Sequence, residues 1–413
     1  MHRARSDRDW FTIGQGLVAD VIGRFQERRS RLGTGSRIAV AAGLAGLAAG
    51  AGGIVLTLLL HAIQHWAFGY TEATFLTGVE RAAPSRRVVA MAIGGLVVGV
   101  GWWALRRWCM PVPSIKQALS DPDRGLPLGV LTADAALQIV AVGAGASLGR
   151  EGAPRQLGAA LAHLIATRLG LSVPQRRTIV ACGAGAGLAA VYNVPLGGAL
   201  FTLEVLLGSA ALVDVIPALL SSGVATAVAW TVLSNRPTYL VLAPVLHTSL
   251  LLWAVLVGPL AGLVGVYFVR LTSWSRGFAP AGWRLPVATT AVFAAVGAAA
   301  ILYPELLGNG KGPAQLAFDG TLSLTAVALL IVLKPVATGA CLASGATGGL
   351  LTPALATGAM LGALMGGAWS LLWPGAPIAG YAMIAAAAVL ATTQKAPLCA
   401  IVLVLEFTNT AWL

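Results

Sequence analysis

The chain has 413 residues, of which 57% are hydrophobic and only 10% charged, and its formal net charge is +12. A mean hydropathy of +0.81 excludes an ordinary soluble protein and predicts an all-α polytopic membrane protein. A basic balance can indicate nucleic-acid binding, but the lysines and arginines here lie in loops and near the N-terminus, as in membrane proteins. We therefore expect membrane lipid, and no nucleic acid, as a partner.

The N-terminal segment 1–35 is rich in arginine, and we predict that it lies on the cytoplasmic side of the membrane. The first long apolar run begins at residue 38, which is too late for a cleavable signal peptide. Apolar runs at 38–60, 88–105 and 250–269, and around 322–333, predict membrane-spanning helices. Other apolar segments are broken by Gly or Pro. Broken helices at membrane depth are tolerated only inside protein or around a water-filled cavity.

The sequence contains a weak internal repeat. PLGGALFTLE at 195–204 matches PLCAIVLVLE at 397–406, and GASLG at 145–149 matches GATGG at 345–349. Both pairs are offset by about 200 residues, which predicts a first repeat at 36–240 and a second at 241–413; we call these the first half and the second half. Duplicated halves with broken helices indicate a transporter whose site lies at the repeat interface.

Three stretches place Gly, Pro, Ser or Thr just before a helical pattern: 110–121, 145–154 and 344–358. A helix start offers unpaired backbone N–H groups and the positive end of the helix dipole, which suit an anion. The second stretch also carries Glu151, next to Arg150 and between Gly149 and Gly152. A carboxylate at membrane depth is expensive, so we predict that Glu151 is functional.

Other polar residues receive weaker predictions. Glu204 and Glu406 occupy equivalent repeat positions, and we expect them to bond backbone amides of neighbouring segments. Asp134 is interpreted as interfacial. The pattern GASLG also fits the GxSxG motif of serine hydrolases, with Ser147 as nucleophile, but no histidine stands in a distinctive context, so an intramembrane hydrolase is a remote alternative.

Metal and cofactor motifs are not recognised in the sequence. The four cysteines lie in or beside apolar segments without CxxC spacing, which is typical of buried thiols. His61 and His65 are four residues apart near the end of a span and are interpreted as interfacial. We expect no metal, no cofactor and no enzyme activity.

Taken in order, the motifs resemble those of the CLC family of anion channels and anion/proton antiporters, from about residue 36 to the C-terminus. GREGA at 149–153 is similar to the family signature, which places Glu151 at the gating glutamate. GGLLTP at 348–353, and the stretches 187–204 and 396–408, resemble further family motifs. The resemblance implies a CLC-type fold of two inverted repeats with many tilted and broken helices, and a homodimer.

The resemblance also implies an anion site. Its residues would be the backbone and side chains of Gly149, Arg150 and Gly152 in the first half, and of Leu351 and Thr352 in the second. Met110 takes the place of the serine that binds chloride in chloride-selective members, and we include it in the predicted site.

Departures from the family pattern bear on the choice of anion. Met110, the altered signature ending at Ala153 and Thr352 resemble the bacterial fluoride-exporting branch, and Val205 stands where chloride antiporters have an inner proton-transfer glutamate. We therefore expect a proton-coupled antiporter that exports fluoride across the bacterial inner membrane. A chloride/proton antiporter and a chloride channel of the same family are the alternatives.

The end of the chain also departs from the family. Family members continue through further helices, one of which supplies a tyrosine to the inner anion site, whereas this chain stops at Leu413. We therefore expect the C-terminal helices of the second half to be missing, and another residue to replace that tyrosine.

Overall fold

Helices make up most of the computed structural model, which describes residues 34–71, 74–121, 125–241 and 247–410. Among these residues, extended backbone pairing is confined to one antiparallel bridge between Gly149 and Gly349. The prediction of an all-α protein is therefore confirmed. The predicted cytoplasmic segment 1–35 falls almost wholly outside the described residues.

The first half contains long, short and broken helices. Proline at the first or second helical position marks the starts of three of them, because its missing N–H has no partner there in any case. The last of the short helices continues into a π-helical turn at Phe201–Leu207. The helices are α1 (Thr34–Phe68), α2 (Phe75–Arg81), α3 (Pro84–Trp108), α4 (Ile115–Ser120), α5 (Leu128–Gly143), α6 (Gly152–Arg168), α7 (Val173–Tyr192), α8 (Pro195–Leu200) and α9 (Leu212–Trp230).

The second half follows a similar course. A short 3₁₀ turn at Pro304–Leu306 separates two of its helices. Pro259 and Pro335 lie inside helices, as happens in membrane proteins where neighbouring helices satisfy the freed backbone groups. The helices are α10 (Thr248–Arg276), α11 (Arg284–Ala299), α12 (Lys311–Asp319), α13 (Leu324–Ala343), α14 (Leu351–Ser370), α15 (Ile378–Gln394) and α16 (Pro397–Thr408).

Six helices in the described part of the chain are long and apolar enough to cross a membrane: α1, α3, α9, α10, α13 and α14. They contain the predicted spans 38–60, 88–105 and 250–269, and α13 begins two residues after the start of the predicted run 322–333. The remaining apolar helices are shorter, including α5, α11, α15 and α16. This mixture confirms the prediction of spanning helices together with broken ones.

Glycine permits matching close contacts in the two halves. A Cβ atom on Gly158 of α6 would overlap the carbonyl oxygen of Gly183 in α7. At the equivalent place in the second half, a Cβ atom on Gly358 of α14 would lie 2.7 Å from the carbonyl oxygen of Ala385 in α15. A larger residue at either glycine would force the paired helices apart.

The halves also exchange hydrogen bonds reciprocally. The carboxylate of Glu204 accepts backbone N–H groups at the start of α16, and that of Glu406 accepts those at the start of α8. The donors to Glu204 are Leu398 (3.3 Å) and Cys399 (2.7 Å), and the donors to Glu406 are Leu196 (3.0 Å) and Gly197 (2.7 Å). The predicted structural role of the two glutamates is confirmed. Mutual contacts of this kind are typical of elements related by a two-fold axis.

Candidate anion site

Two buried loops, one from each half, meet at the centre of the candidate site. Each loop turns at a glycine in the left-handed region, Gly145 with φ 111° and Gly345 with φ 93°, which side-chain-bearing residues rarely adopt. Gly149 N–H donates to the Gly349 carbonyl over 2.7 Å, and Gly349 N–H donates to the Gly149 carbonyl over 2.9 Å. These bonds place the residue before α6 against the start of α14.

Glu151 occupies that meeting point with its side chain fully buried. Its Oε1 accepts the backbone N–H of Leu351 over 2.6 Å, and its Oε2 accepts the Thr352 hydroxyl over 3.0 Å. Both donors belong to the first turn of α14, where backbone N–H groups are unpaired and the helix dipole is positive. The carboxylate is therefore held where a free anion would find the same donors.

Two glycines make room for this carboxylate. A Cβ atom on Gly149 would overlap the Glu151 carboxylate oxygens, and so would a Cβ atom on Gly349. Gly149 and its counterpart Gly349 in the second half thus both leave space for the Glu151 side chain. Gly152, the first residue of α6, lies against the Gln138 side chain, whose Oε1 would overlap any Cβ atom added there.

Arg150 packs on Tyr192, and its role in anion binding stays a prediction. Its Nη2 donates to the Val191 carbonyl over 3.2 Å, and its guanidinium lies 4.8 Å from the centre of the Tyr192 ring. Arg155 donates from Nε to the backbone carbonyl of Glu151 over 3.0 Å. The two arginines therefore place positive charge next to Tyr192 and Glu151, while their described hydrogen bonds go to backbone carbonyls.

The structure brings together most of the predicted site residues. Gly149 and Gly152 flank Glu151, and Leu351 and Thr352 supply its donors, Leu351 through its backbone. Met110 lies before α4 and is 68% exposed, and the described hydrogen bonds of the Glu151 carboxylate involve other residues, so its part in the anion site stays a prediction.

Tyr192 is a site residue that the sequence motifs missed. Its hydroxyl lies 3.2 Å from Glu151 Oε2 and 2.9 Å from the Thr352 hydroxyl, and the side chain is 2% exposed. The residue falls inside the stretch 187–204 that resembles the family, but a tyrosine at the end of an apolar helix is usually a packing residue. Only the tertiary contact with a helix about 160 residues later reveals its polar role.

Asp134 corrects a weaker prediction. It lies within α5 and is 5% exposed, so its carboxylate is buried in protein and not in contact with solvent or lipid headgroups. Its carboxylate accepts the Trp102 indole N–H and the Gln138 amide, each over 2.8 Å. Gln138 in turn donates to Gln156 over 2.9 Å and packs against Gly152. A buried polar network therefore adjoins the start of α6.

The hydrolase alternative gains no support from the surroundings of Ser147. The Ser147 side chain is fully buried, and its described hydrogen bond joins it to the Thr338 hydroxyl at 3.2 Å rather than to a histidine. A serine nucleophile needs a base within hydrogen-bond reach.

Among the described residues, no group of three or more His, Cys, Asp or Glu side chains could hold a metal ion.

Comparison with known proteins gives consistent results. The family model described as "Voltage gated chloride channel" matches residues 94–413. A "Putative chloride channel protein ClcB-like" of Ralstonia nicotianae is 32% identical over 383 residues, which cover 89% of this chain and 88% of that protein. A "Voltage-gated ClC-type chloride channel ClcB" of Citrobacter koseri is 29% identical over 374 residues, covering 86% of this chain and 89% of that protein.

Solved structures share the fold. A slow cyanobacterial Cl⁻/H⁺ antiporter superposes with a TM-score of 0.77 at 22% identity, covering 90% of this chain and 89% of that one. A CLC-type fluoride/proton antiporter superposes with a TM-score of 0.74 at 20% identity, covering 91% of each chain. These likenesses confirm the expected CLC-type fold. By the match to residues 94–413 and the 32% identity across 89% of its length, this multi-pass membrane protein belongs to the CLC family of voltage-gated chloride channels, whose members are anion channels and anion/proton antiporters.

Proposed function

We propose that the protein exchanges a small inorganic anion for protons across the bacterial inner membrane, with Glu151 as both gate and proton carrier. The observation that carries this proposal is the position of the Glu151 carboxylate, fully buried on donors at the start of α14. An anion and a carboxylate would compete for the same donors and the same positive helix end.

Competition for these donors couples the movement of the anion to the movement of a proton. The ionised carboxylate binds the Leu351 N–H and the Thr352 hydroxyl and keeps an anion out. Protonation removes the negative charge, weakens those hydrogen bonds and lets the side chain leave, because charge-assisted bonds are roughly twice as strong as neutral ones. An anion then takes the vacated donors, and the proton is released when the carboxyl group ionises again.

Chloride is the first candidate anion. Two relatives that match most of this chain are named as chloride channels. Fluoride, predicted from the sequence, is the second candidate, and the Thr352 hydroxyl at the carboxylate supports it. Met110 also underlies that prediction through the resemblance, although its side chain lies on the exposed surface. Anion flux from liposomes, with chloride and fluoride compared at equal gradients, would separate the two candidates, and Met110→Ser tests whether this residue affects the preference.

Proton coupling is tested by Glu151→Gln in proteoliposomes, with anion efflux and internal pH recorded together. We expect anion efflux to continue while anion-driven proton uptake is lost. Asp214→Asn is the matched control, because the Asp214 carboxylate also has two side-chain hydrogen bonds but lies on α9, with Thr178 and Ser209 as partners. Proton uptake that persists in Glu151→Gln would contradict the proposed role of Glu151.

A homodimer with cytoplasmic N-termini is also part of this proposal and rests on the family resemblance. Cross-linking in native membranes followed by mass determination tests the dimer. Protease accessibility of an N-terminal tag in spheroplasts tests the orientation: a tag cleaved from the outside would contradict a cytoplasmic N-terminus.

A further inference from the structure

Tyr192 is held rigidly beside the gate. It is the last residue of α7, which ends at Asn193 in the left-handed conformation with φ 58°. Its ring packs edge-to-face against Phe407 at 5.3 Å, and the Arg150 guanidinium lies 4.8 Å from its centre. Contacts with both halves of the molecule therefore fix where its hydroxyl points.

That hydroxyl points at the anionic group of the site. Tyr192 Oη lies 3.2 Å from Glu151 Oε2, the oxygen that also accepts the Thr352 hydroxyl over 3.0 Å. The two hydroxyls lie 2.9 Å apart. One comes from the first half and one from the second, and they converge on a single carboxylate oxygen. Such a pair can turn both O–H groups towards a negative charge, since a hydroxyl hydrogen rotates to suit its acceptor.

We propose that Tyr192 is a ligand of the transported anion, donating its hydroxyl hydrogen to the ion when Glu151 leaves. The inference rests on the proposed function and adds a residue to its site. The donors left behind by the carboxylate are the Leu351 N–H, the Thr352 hydroxyl and the Tyr192 hydroxyl, and an anion at that position meets all of them.

Hydroxyl ligands would also favour one class of anion over another. Fluoride and chloride accept stronger hydrogen bonds than large, weakly hydrated anions such as thiocyanate. A small anion loses more hydration on entering the site, so each additional O–H donor offsets more of that loss. Tyr192 and Thr352 together therefore favour small halides over thiocyanate.

A competing role for Tyr192 is that of a latch, which holds the Glu151 carboxylate in place by a hydrogen bond and does not contact the anion. Removal of the Glu151 carboxylate separates the two roles, because a latch then has no partner and cannot affect anion binding. Glu151→Ala is therefore the background for the test, and anion binding to purified protein is measured by isothermal titration with chloride, fluoride and thiocyanate.

Tyr239→Phe is the matched control for Tyr192→Phe. Tyr239 is also fully buried and its ring also contacts Phe407, at 6.1 Å, but its hydroxyl has no hydrogen-bond partner among the described residues. Each variant removes one buried hydroxyl and keeps the aromatic ring. In the Glu151→Ala background we expect Tyr192→Phe to weaken halide binding about 10-fold, as for one lost hydrogen bond to a charged group, with a smaller loss for thiocyanate.

Tyr239→Phe should leave binding unchanged, and Thr352→Val should reproduce the loss seen with Tyr192→Phe. Monodisperse elution of every variant shows that it is folded. Equal halide affinities for Tyr192→Phe and Tyr239→Phe would overturn the inference and leave Tyr192 as a latch. Absence of anion binding in the Glu151→Ala protein itself would overturn both the inference and the proposed site, whereas proton uptake by Glu151→Gln overturns only the role of Glu151.

Discussion

The loops before α6 and α14 have matching backbones, yet the first carries Glu151 and the second carries Leu351 at the corresponding place. Both loops turn at a left-handed glycine, and each bonds the other through Gly149 and Gly349. The first half thus supplies the acceptor, and the second half supplies donors from its helix start. Two loops with similar turns therefore differ at this position, and the difference pairs a carboxylate with donors at a helix start.

Buried charge shows the same contrast. Asp134 in α5 and Lys334 in α13 are offset by the repeat distance of about 200 residues. Asp134 accepts hydrogen bonds from Trp102 and Gln138. Lys334, fully buried, donates from Nζ to three backbone carbonyls, those of Glu305 (3.3 Å), Leu306 (2.8 Å) and Gly308 (2.8 Å). Equivalent positions therefore carry opposite charges, each with partners of the matching kind.

The largest expected effect on stability comes from neutralising Lys334, and the comparison with Asp134 tests the contrast between the two halves. Lys334→Met leaves three carbonyls without their donor, and we expect a loss of about 3 kcal/mol in stability. Asp134→Asn keeps an acceptor for Trp102, so we expect this variant to lose only ~1 kcal/mol in stability. Melting temperatures in detergent measure both, with the exposed Lys116→Met as control. A Lys334→Met protein that melts like the control would show that the second half does not depend on its buried charge.

A smaller loss of stability, similar for the two halves, is expected at Glu204 and Glu406. We call these two glutamates the reciprocal caps, because each binds the start of a helix in the other half. Glu204→Gln and Glu406→Gln each lose the charge that binds two backbone N–H groups of the other half. Each should cost ~1–2 kcal/mol, and the two costs should be similar. The exposed Glu80→Gln serves as the control in the same melting assay. Strong destabilisation by one substitution and none by the other would mean that the halves are not equivalent at this contact.

The smallest expected change in stability concerns the C-terminal ends of two helices. Asn193 and Lys395 end α7 and α15 in the left-handed conformation, with φ 58° and 55°. Lys395→Gly should stabilise by ~0.5–1 kcal/mol, because glycine adopts this conformation without strain. Asn193→Gly should not, since the Asn193 side chain bonds Trp230 at 2.7 Å and Asn235 at 2.9 Å. Chemical denaturation compares the two variants, and equal gains would contradict a bonding role for Asn193.

Much of this organisation could be predicted from the sequence. The long apolar runs indicated the spanning helices, and the recurring motifs indicated that Glu151 and the start of α14 belong to one site. The helices and the contact of Glu151 with the start of α14 agree with these predictions, because helix starts and charges in apolar sequence have local causes, while the role of Glu151 stays a prediction. The structural role of Glu204 and Glu406 followed from their equivalent positions at helix ends.

Contacts between distant segments could not be predicted in the same way. Tyr192 joins the site because α7 ends beside α14, and nothing within α7 itself encodes that neighbour. Asp134 is buried because Trp102 and Gln138 cover it, although its sequence position after a loop suggested the membrane surface. Met110 was assigned from its resemblance to a family loop, and its part in the anion site stays a prediction.

The reciprocal caps have a consequence for how the chain is made. A ribosome completes the start of α8 long before it adds Glu406, the residue that caps it. During that interval the N–H groups of Leu196 and Gly197 lack this carboxylate as an acceptor. Docking of the α8 and α16 regions is therefore a late event in biogenesis, because it requires a residue that is translated 210 residues after Leu196.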